Sequence, residues 1–313
     1  MAKARIVHYE QPVRRAPEPA TYVSWARRRR RRRARRLLFA LAALVLASAA
    51  AYVVWYNHPA RAAGQDRATA ADPAGSAGQD PGGMAAGLAG AGDGRIVVAI
   101  DPGHGGVNPS IGAEDYGSEA NGLRESEVTL ATAQALYDLL EADGRFAPML
   151  TADGTAYRKP SERGAAARDA GAEFLLSIHL NCDGSSETSG FECYAVPPDH
   201  LATNAESLRF GTLAAQAFGD LGLRLRGANG VRYLYYDGNN QKQIYESTDS
   251  TPRSDPTFTV LEACGCPAVL CEEGFISSPS DMDLLAGDEG CAAAAELYYQ
   301  CLCEYFGLEA ENR

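Results

Sequence analysis

Ile96-Val97-Val98-Ala99-Ile100-Asp101-Pro102-Gly103-His104-Gly105-Gly106 is the stretch on which the reading of this chain turns. The β-branched apolar run Ile96, Val97, Val98 and Ile100 predicts a short strand buried on both faces. Asp101-Pro102 ends it, and Gly103, Gly105 and Gly106 let the backbone turn tightly around one imidazole. His104 is thereby expected at the carboxyl end of a central strand, where open α/β sheets place their ligands. A turn with an incidental histidine is the plain alternative. A phosphate cradle is disfavoured, because the Gly-Lys-Ser/Thr ending of a P-loop is missing.

Outward from this stretch, strand and helix patterns alternate. A polar loop covers 107–124, and a helix is expected over 126–142, with Val128, Ala131, Ala135, Leu136, Leu139 and Leu140 on one stripe. A strand near 147–151 leads to a helix over 161–170 that stops at Gly171. Phe174-Leu175-Leu176-Ser177-Ile178 and Gly190–Val196 read as buried strands, and 201–221 as a helix. Residues 230–257 are polar and tyrosine-rich and fit no element; Tyr233, Tyr235, Tyr236 and Tyr245 suggest a substrate-facing loop. Ala268–Cys271 is a last strand, and helices near 279–286 and 288–306 close the chain. The expected fold is α/β: a single globular domain over 95–313, with a central mostly parallel or mixed sheet flanked by helices.

Charge is distributed unevenly. The net charge is -11, yet residues 1–36 carry 13 Lys/Arg against two Asp/Glu. Arg27–Arg33, Arg35 and Arg36 abut an uncharged apolar run, Leu37–Tyr56, which is long enough to cross a bilayer. Arginines before the span and few after it put the N-terminus in the cytoplasm and everything downstream outside. This gives a basic tail at 1–36, a transmembrane signal anchor at 37–56 and a flexible Ala/Gly-rich linker at 57–94. The expected location is the cell membrane, single-pass, with the main domain extracytoplasmic. Cleavage near Ala47-Ser48-Ala49 would instead give a secreted form. The arginine run has no fold of its own to dock with, so nucleic acid is not an expected partner. All eight cysteines follow the span, and an even number in an exported domain suggests disulfides.

Two more polar sites interrupt strand ends as His104 does. His179 ends Phe174–Ile178, and Glu272 and Glu273 end Ala268–Cys271. Glu125 adds a carboxylate just ahead of the 126–142 helix. Two imidazoles and one carboxylate are a zinc set with a fourth position open to water. A satisfied core histidine is the ordinary alternative for His179. Alternation along the last strand sends Glu272 and Glu273 to opposite faces, so only one reaches such a centre and Glu273 is expected to point outward.

The motifs Val98–Gly106, Glu125–Leu130, Ser177–Asn181, Ser189–Tyr194 and Pro267–Ser277 occur in this order. Over about 96–307 the chain resembles the zinc-dependent N-acetylmuramoyl-L-alanine amidases of bacterial cell-wall turnover, the amidase type 3 family. The resemblance implies zinc held by His104, Glu125 and His179, Glu272 as catalytic residue, and peptidoglycan as substrate; Arg163 matches a family arginine that reads as structural. It implies hydrolysis of the amide between N-acetylmuramic acid and L-alanine, in cell-wall remodelling or turnover. The competing readings are a zinc peptidase acting on stem peptides and a non-catalytic wall-binding module; a regulatory protein partner is left open. The stretch after Arg226-Gly227 is longer than the family link, and Cys271 replaces the usual valine.

An N-terminally tagged full-length chain is expected in the membrane pellet on fractionation. A soluble form beginning at Ala50 would replace the anchor with a cleaved signal.

Overall fold

The computed structural model describes residues 94–198 and 202–311. The tail, the apolar span and nearly all of the linker lie outside the described residues. Among those described, no helix is long and apolar enough to cross a membrane.

Seven strands form the central sheet. In chain order they are β1 (Ile96–Pro102), β6 (Phe146–Leu150), β7 (Phe174–Asn181), β8 (Glu192–Ala195), β9 (Val231–Tyr236), β10 (Lys242–Glu246) and β11 (Ala268–Phe275). The expected loop at 107–124 contains two-residue ladders, β2 (Val107–Asn108) with β3 (Ala113–Glu114) and β4 (Glu119–Ala120) with β5 (Leu123–Arg124). Across the sheet the order is β10-β9-β8-β11-β7-β1-β6. Strands β6, β1, β7 and β11 run parallel, β8 is antiparallel to β11, and β9 and β10 pair antiparallel at the edge. The sheet is therefore mixed.

Helices cover both faces: α1 (Glu125–Asp143), α2 (Pro160–Asp169), α3 (Asn204–Asp220), α4 (Thr259–Cys264), α5 (Pro279–Leu285) and α6 (Gly287–Tyr305). Strand alternation sorts the interior into two cores. Val98, Ile100, Leu176, Ile178, Val269 and Cys271 pack with α1, α3, α5 and α6. Val97, Ala99, Leu175, Tyr194 and Leu270 pack with α2 and α4. Because α2 and α4 are short, they cover only part of the second face, and the polar residues of β7, β8, β9 and β11 emerge on its remainder. Gly144 closes α1 in the left-handed conformation, φ 75°.

The segment 230–257, which fits no element by pattern, supplies β9 and β10. Tyr233 and Tyr235 are 2% and 1% exposed in the first core, Tyr233 accepting from Asn204 of α3 and Tyr235 packing on Tyr245, so they hold the edge hairpin rather than face a substrate. Their expected place in a binding loop is corrected by alternation: the odd-numbered tyrosines of β9 point into the protein. The disulfide expectation is also corrected. All eight cysteines are free thiols, seven of them buried. They serve as small apolar core residues, as with Cys193 and Cys271, cross-strand partners whose sulfurs lie 3.6 Å apart.

Gly164 sits where α2 crosses α4. A Cβ there would lie 2.6 Å from the Val260 carbonyl oxygen and 2.7 Å from Ala263 Cβ. Alanine is the better helix former by about 1 kcal/mol, yet Gly164→Ala is expected to lower stability by about 1–3 kcal/mol through forced separation of the helices. Urea unfolding of the two chains measures it.

Candidate metal centre

The loop that carries His104 is fixed from below. Asp101, 2% exposed, accepts hydrogen bonds from Ser177 Oγ (2.7 Å), Thr151 Oγ1 and Arg163 Nη1 (3.1 Å). Arg163, on α2 and 4% exposed, also donates to the carbonyls of Pro102, Arg158 (2.9 Å) and His104 (2.5 Å). The buried charges are mutually satisfied, as burial requires. His104 itself takes φ +63°, a left-handed conformation that a non-glycine residue holds only when its surroundings impose it. Arg163 is thus structural, as its sequence context suggested, and it shapes the site loop directly.

His104, Glu125 and His179 come together. One ligand atom from each lies within 4.8 Å of the others. Glu125 opens α1, where the helix dipole favours a carboxylate. Its Oε1 faces His179 Nδ1 at 2.9 Å and accepts Leu180 N–H at 3.1 Å; its Oε2 accepts Ser118 N–H at 2.9 Å and lies 3.4 Å from His104 Nε2. Burial pushes the Glu125 carboxyl up, but the hydrogen bonds and charges of both imidazoles reverse this and hold it well below the usual carboxylate range. Burial lowers His104, and Glu125 and Asp115 together overcome it, raising the imidazole to about 9.

Two glycines keep room for this cluster. A Cβ on Gly103 would lie 2.6 Å from the His179 ring, and one on Gly117 would lie 2.6 Å from both Glu125 Oε2 and His104 Cδ2. A cation between the three groups would satisfy the crowded nitrogen and oxygen donors in place of a proton. The donor set therefore fits a divalent metal ion with an open coordination position.

Glu272 stands beside the cluster. On β11 it is the register partner of His179 on β7 and of Glu192 on β8, and all three share the second face. Its Oε2 is shielded and has no hydrogen-bond partner. Burial pushes its carboxyl up to about 7, opposed by the charge of His179 and aided by that of Glu125. Glu273 turns to the first face, so alternation holds, but it does not point outward. It is 0% exposed because α6 covers this face of β11, and the Tyr298 hydroxyl of that helix faces it.

Several site residues were not legible in the chain. Beyond Glu272, Asn181 Nδ2 donates to Glu192 Oε1 (2.5 Å), and Arg232 bridges Glu192 (2.8 Å) and Glu246 (3.4 Å). An acidic residue inside the apolar run Gly190–Val196 is the one signal that could have marked Glu192. Asp115, 2.9 Å from His104 Nδ1, sits in a loop with no periodic pattern to place it. A cavity of about 170 Å³ opens beside His104, lined by Gly103, Glu114, Tyr116, Ser126 and Glu127 among others.

A two-imidazole, one-carboxylate centre with a free carboxyl on the adjoining strand is the arrangement of a metal-dependent hydrolase. Residues 98–304 match the family Amidase_3, described as N-acetylmuramoyl-L-alanine amidase. The chain is 30% identical over 218 residues to the sporulation-specific N-acetylmuramoyl-L-alanine amidase of Bacillus subtilis, an alignment covering 68% of this chain and 69% of that one. It is 29% identical to the N-acetylmuramoyl-L-alanine amidase CwlM of Bacillus licheniformis, with 68% and 70% covered. The same fold occurs in the amidase of Clostridium difficile 630, with TM-score 0.53, 22% identity, and 68% of this chain and 98% of that one covered. It occurs again in the catalytic domain of CwlV from Bacillus (Paenibacillus) polymyxa, with TM-score 0.52, 24% identity, and 68% and 99% covered. The chain belongs to the Amidase_3 family and is an N-acetylmuramoyl-L-alanine amidase, an enzyme of the cell-wall amidase class.

Burial raises the Glu273 carboxyl to about 8, partly offset by the Tyr298 hydroxyl and reinforced by the charge of Glu272. The folded state therefore keeps a proton that the unfolded chain releases above its ordinary pKa of 4.5. Stability attached to this group is full below that value and falls as pH rises toward about 8. Glu273→Gln should remove that slope and raise stability at pH 8 relative to pH 5, by on the order of a few kcal/mol. Paired urea titrations at the two pH values read the difference.

Proposed function

We propose that the ion of this centre is zinc, held by His104, Glu125 and His179. The substrate proposed is the peptidoglycan amide joining N-acetylmuramic acid to L-alanine, cut in cell-wall remodelling or turnover. The observation that carries this is Glu272, a shielded carboxyl with a free Oε2, in register with one of the three ligands. When bound, zinc acidifies a coordinated water and polarises a carbonyl.

The chain's own residues do the rest. Glu272 Oε2 accepts a proton from water and returns it to the departing amine, a role its position beside His179 supports. Glu125 would contribute the negative charge of the donor set, its Oε2 held by the Ser118 N–H and its Oε1 by the Leu180 N–H. Arg163 and Asp101 hold the His104 loop against collapse into the cradle. The proposed location is outside the cytoplasm, with residues 37–56 as the anchor.

Glu272→Gln should retain zinc and fold but lose about 10²–10⁴-fold in hydrolysis, because an amide does not take the proton. His179→Ala should lose zinc and activity together. Elemental analysis of the two variants, paired with mass spectrometry of purified peptidoglycan digests, tests both. Full zinc with near-normal release by Glu272→Gln overturns the catalytic assignment. Products cut within the stem peptide rather than before L-alanine overturn the substrate.

A further inference from the structure

The two imidazoles of the centre are held in different ways. His179 presents Nδ1 to Glu125, and its ring lies against the backbone of Gly103. His104 presents the other nitrogen, Nε2, to Glu125, and its Nδ1 meets Asp115 Oδ1 at 2.9 Å. Asp115 is unusually well fastened for a loop residue. Its Oδ2 accepts from Asn108 Nδ2 (3.1 Å), and its Oδ1 also accepts the Gly117 N–H (3.3 Å). Its own N–H donates to the Gly106 carbonyl (2.9 Å), and its carbonyl accepts the Gly105 N–H (2.8 Å). Asn108 is tied in turn, its Oδ1 accepting the Ser110 N–H at 2.9 Å. The Asp115 and His104 side chains are 19% and 31% exposed, so the pair is half-buried.

A carboxylate facing Nδ1 has one consequence for the ring. Asp115 holds the proton on Nδ1, so Nε2, facing Glu125 Oε2, is the nitrogen whose proton a cation can replace. A lone pair and a carboxylate oxygen 3.4 Å apart repel unless a proton or a cation lies between them. The relay Asn108, Asp115, His104 therefore prepares one ring nitrogen for a cation and fixes the plane of the ring.

We propose that Asp115 is the positioning residue of the metal centre, setting the tautomer and orientation of His104, and that Asn108 clamps it in place. The proposal rests on the zinc reading above. Carboxylate partners of this kind typically change metal affinity by about 10–100-fold. The loop 107–115 is then part of the metal centre although none of its side chains belongs to the donor set.

Zinc affinity of the full chain in detergent, measured by competition with a chromogenic chelator, is the test. Asp115→Ala should weaken zinc binding by about 10–100-fold, with thermal unfolding of the metal-free chain little changed. Asp115→Asn can still accept from Nδ1 but lacks the charge, so it should fall between Asp115→Ala and wild type. Asn108→Ala should weaken binding by less than Asp115→Ala. Nitrogen NMR of labelled histidine in the zinc-free chain, at a pH high enough for the His104 ring to be neutral, should show it protonated on Nδ1 in wild type and as a mixed tautomer in Asp115→Ala; a merely structural residue would not move this signal. If Asp115→Ala fails to fold, Asp115→Asn carries the test. Wild-type zinc affinity in Asp115→Asn or Asp115→Ala overturns the proposal. Failure of the wild-type chain to bind zinc overturns instead the zinc reading on which it rests.

Discussion

The buried pair of Asp101 and Arg163 is the interaction on which the centre depends. Its guanidinium reaches three carbonyls as well as the carboxylate, and two of those carbonyls are those of Pro102, which ends β1, and of His104. Removing either partner of such a pair leaves a charge in a dry interior, typically costing about 3–5 kcal/mol. Here the loss would also free the segment that holds His104 at positive φ. The pair joins the strand that starts the sheet to the helix on its second face, so local loop geometry is inherited from the packing of α2.

Sheet register does the remaining placement. His179, Glu272 and Glu192 are neighbours across β7, β11 and β8, although 93 residues separate the first two along the chain (179 to 272). Strand spacing brings their side chains within reach on one face without any loop having to find them. Arg232 on β9, the register partner of Tyr194, reaches Glu192 diagonally and pairs with Glu246 opposite it on β10. The edge hairpin thus does more than widen the sheet: it supplies the cation that pairs Glu192. Without Arg232, two carboxylates would face each other at adjacent positions beside the metal cluster.

Acid side chains at consecutive positions acquire opposite characters from the same alternation. Glu272 shares the second face with His179 and keeps a shielded, unpaired oxygen. Glu273 is sealed among apolar side chains under α6, and burial favours its neutral form. One residue of displacement separates a group suited to proton transfer from one that weakens the fold as pH rises. The free thiols follow a similar logic. Seven of the eight are buried and act as packing atoms between sheet and helices.

What the chain determined by itself was the strand and helix alternation from Ile96 onward, the mixed α/β class, and the polar interruptions at His104, His179 and Glu272. These are local signals: apolar runs, glycines that permit a turn, and charged groups at strand ends. The pattern also gave the opposite facing of Glu272 and Glu273, because side-chain period is a property of any strand. Only the tertiary structure decided that Glu273 is covered, that Tyr233 and Tyr235 are core, and that the cysteines remain thiols. It alone showed Asp115 against His104 and Arg232 against Glu192, since neither partner carries a pattern that names the other. A strand's periodicity says which way a side chain points, but not what is packed there; that depends on sheet order and helix placement, which are set by the whole chain at once.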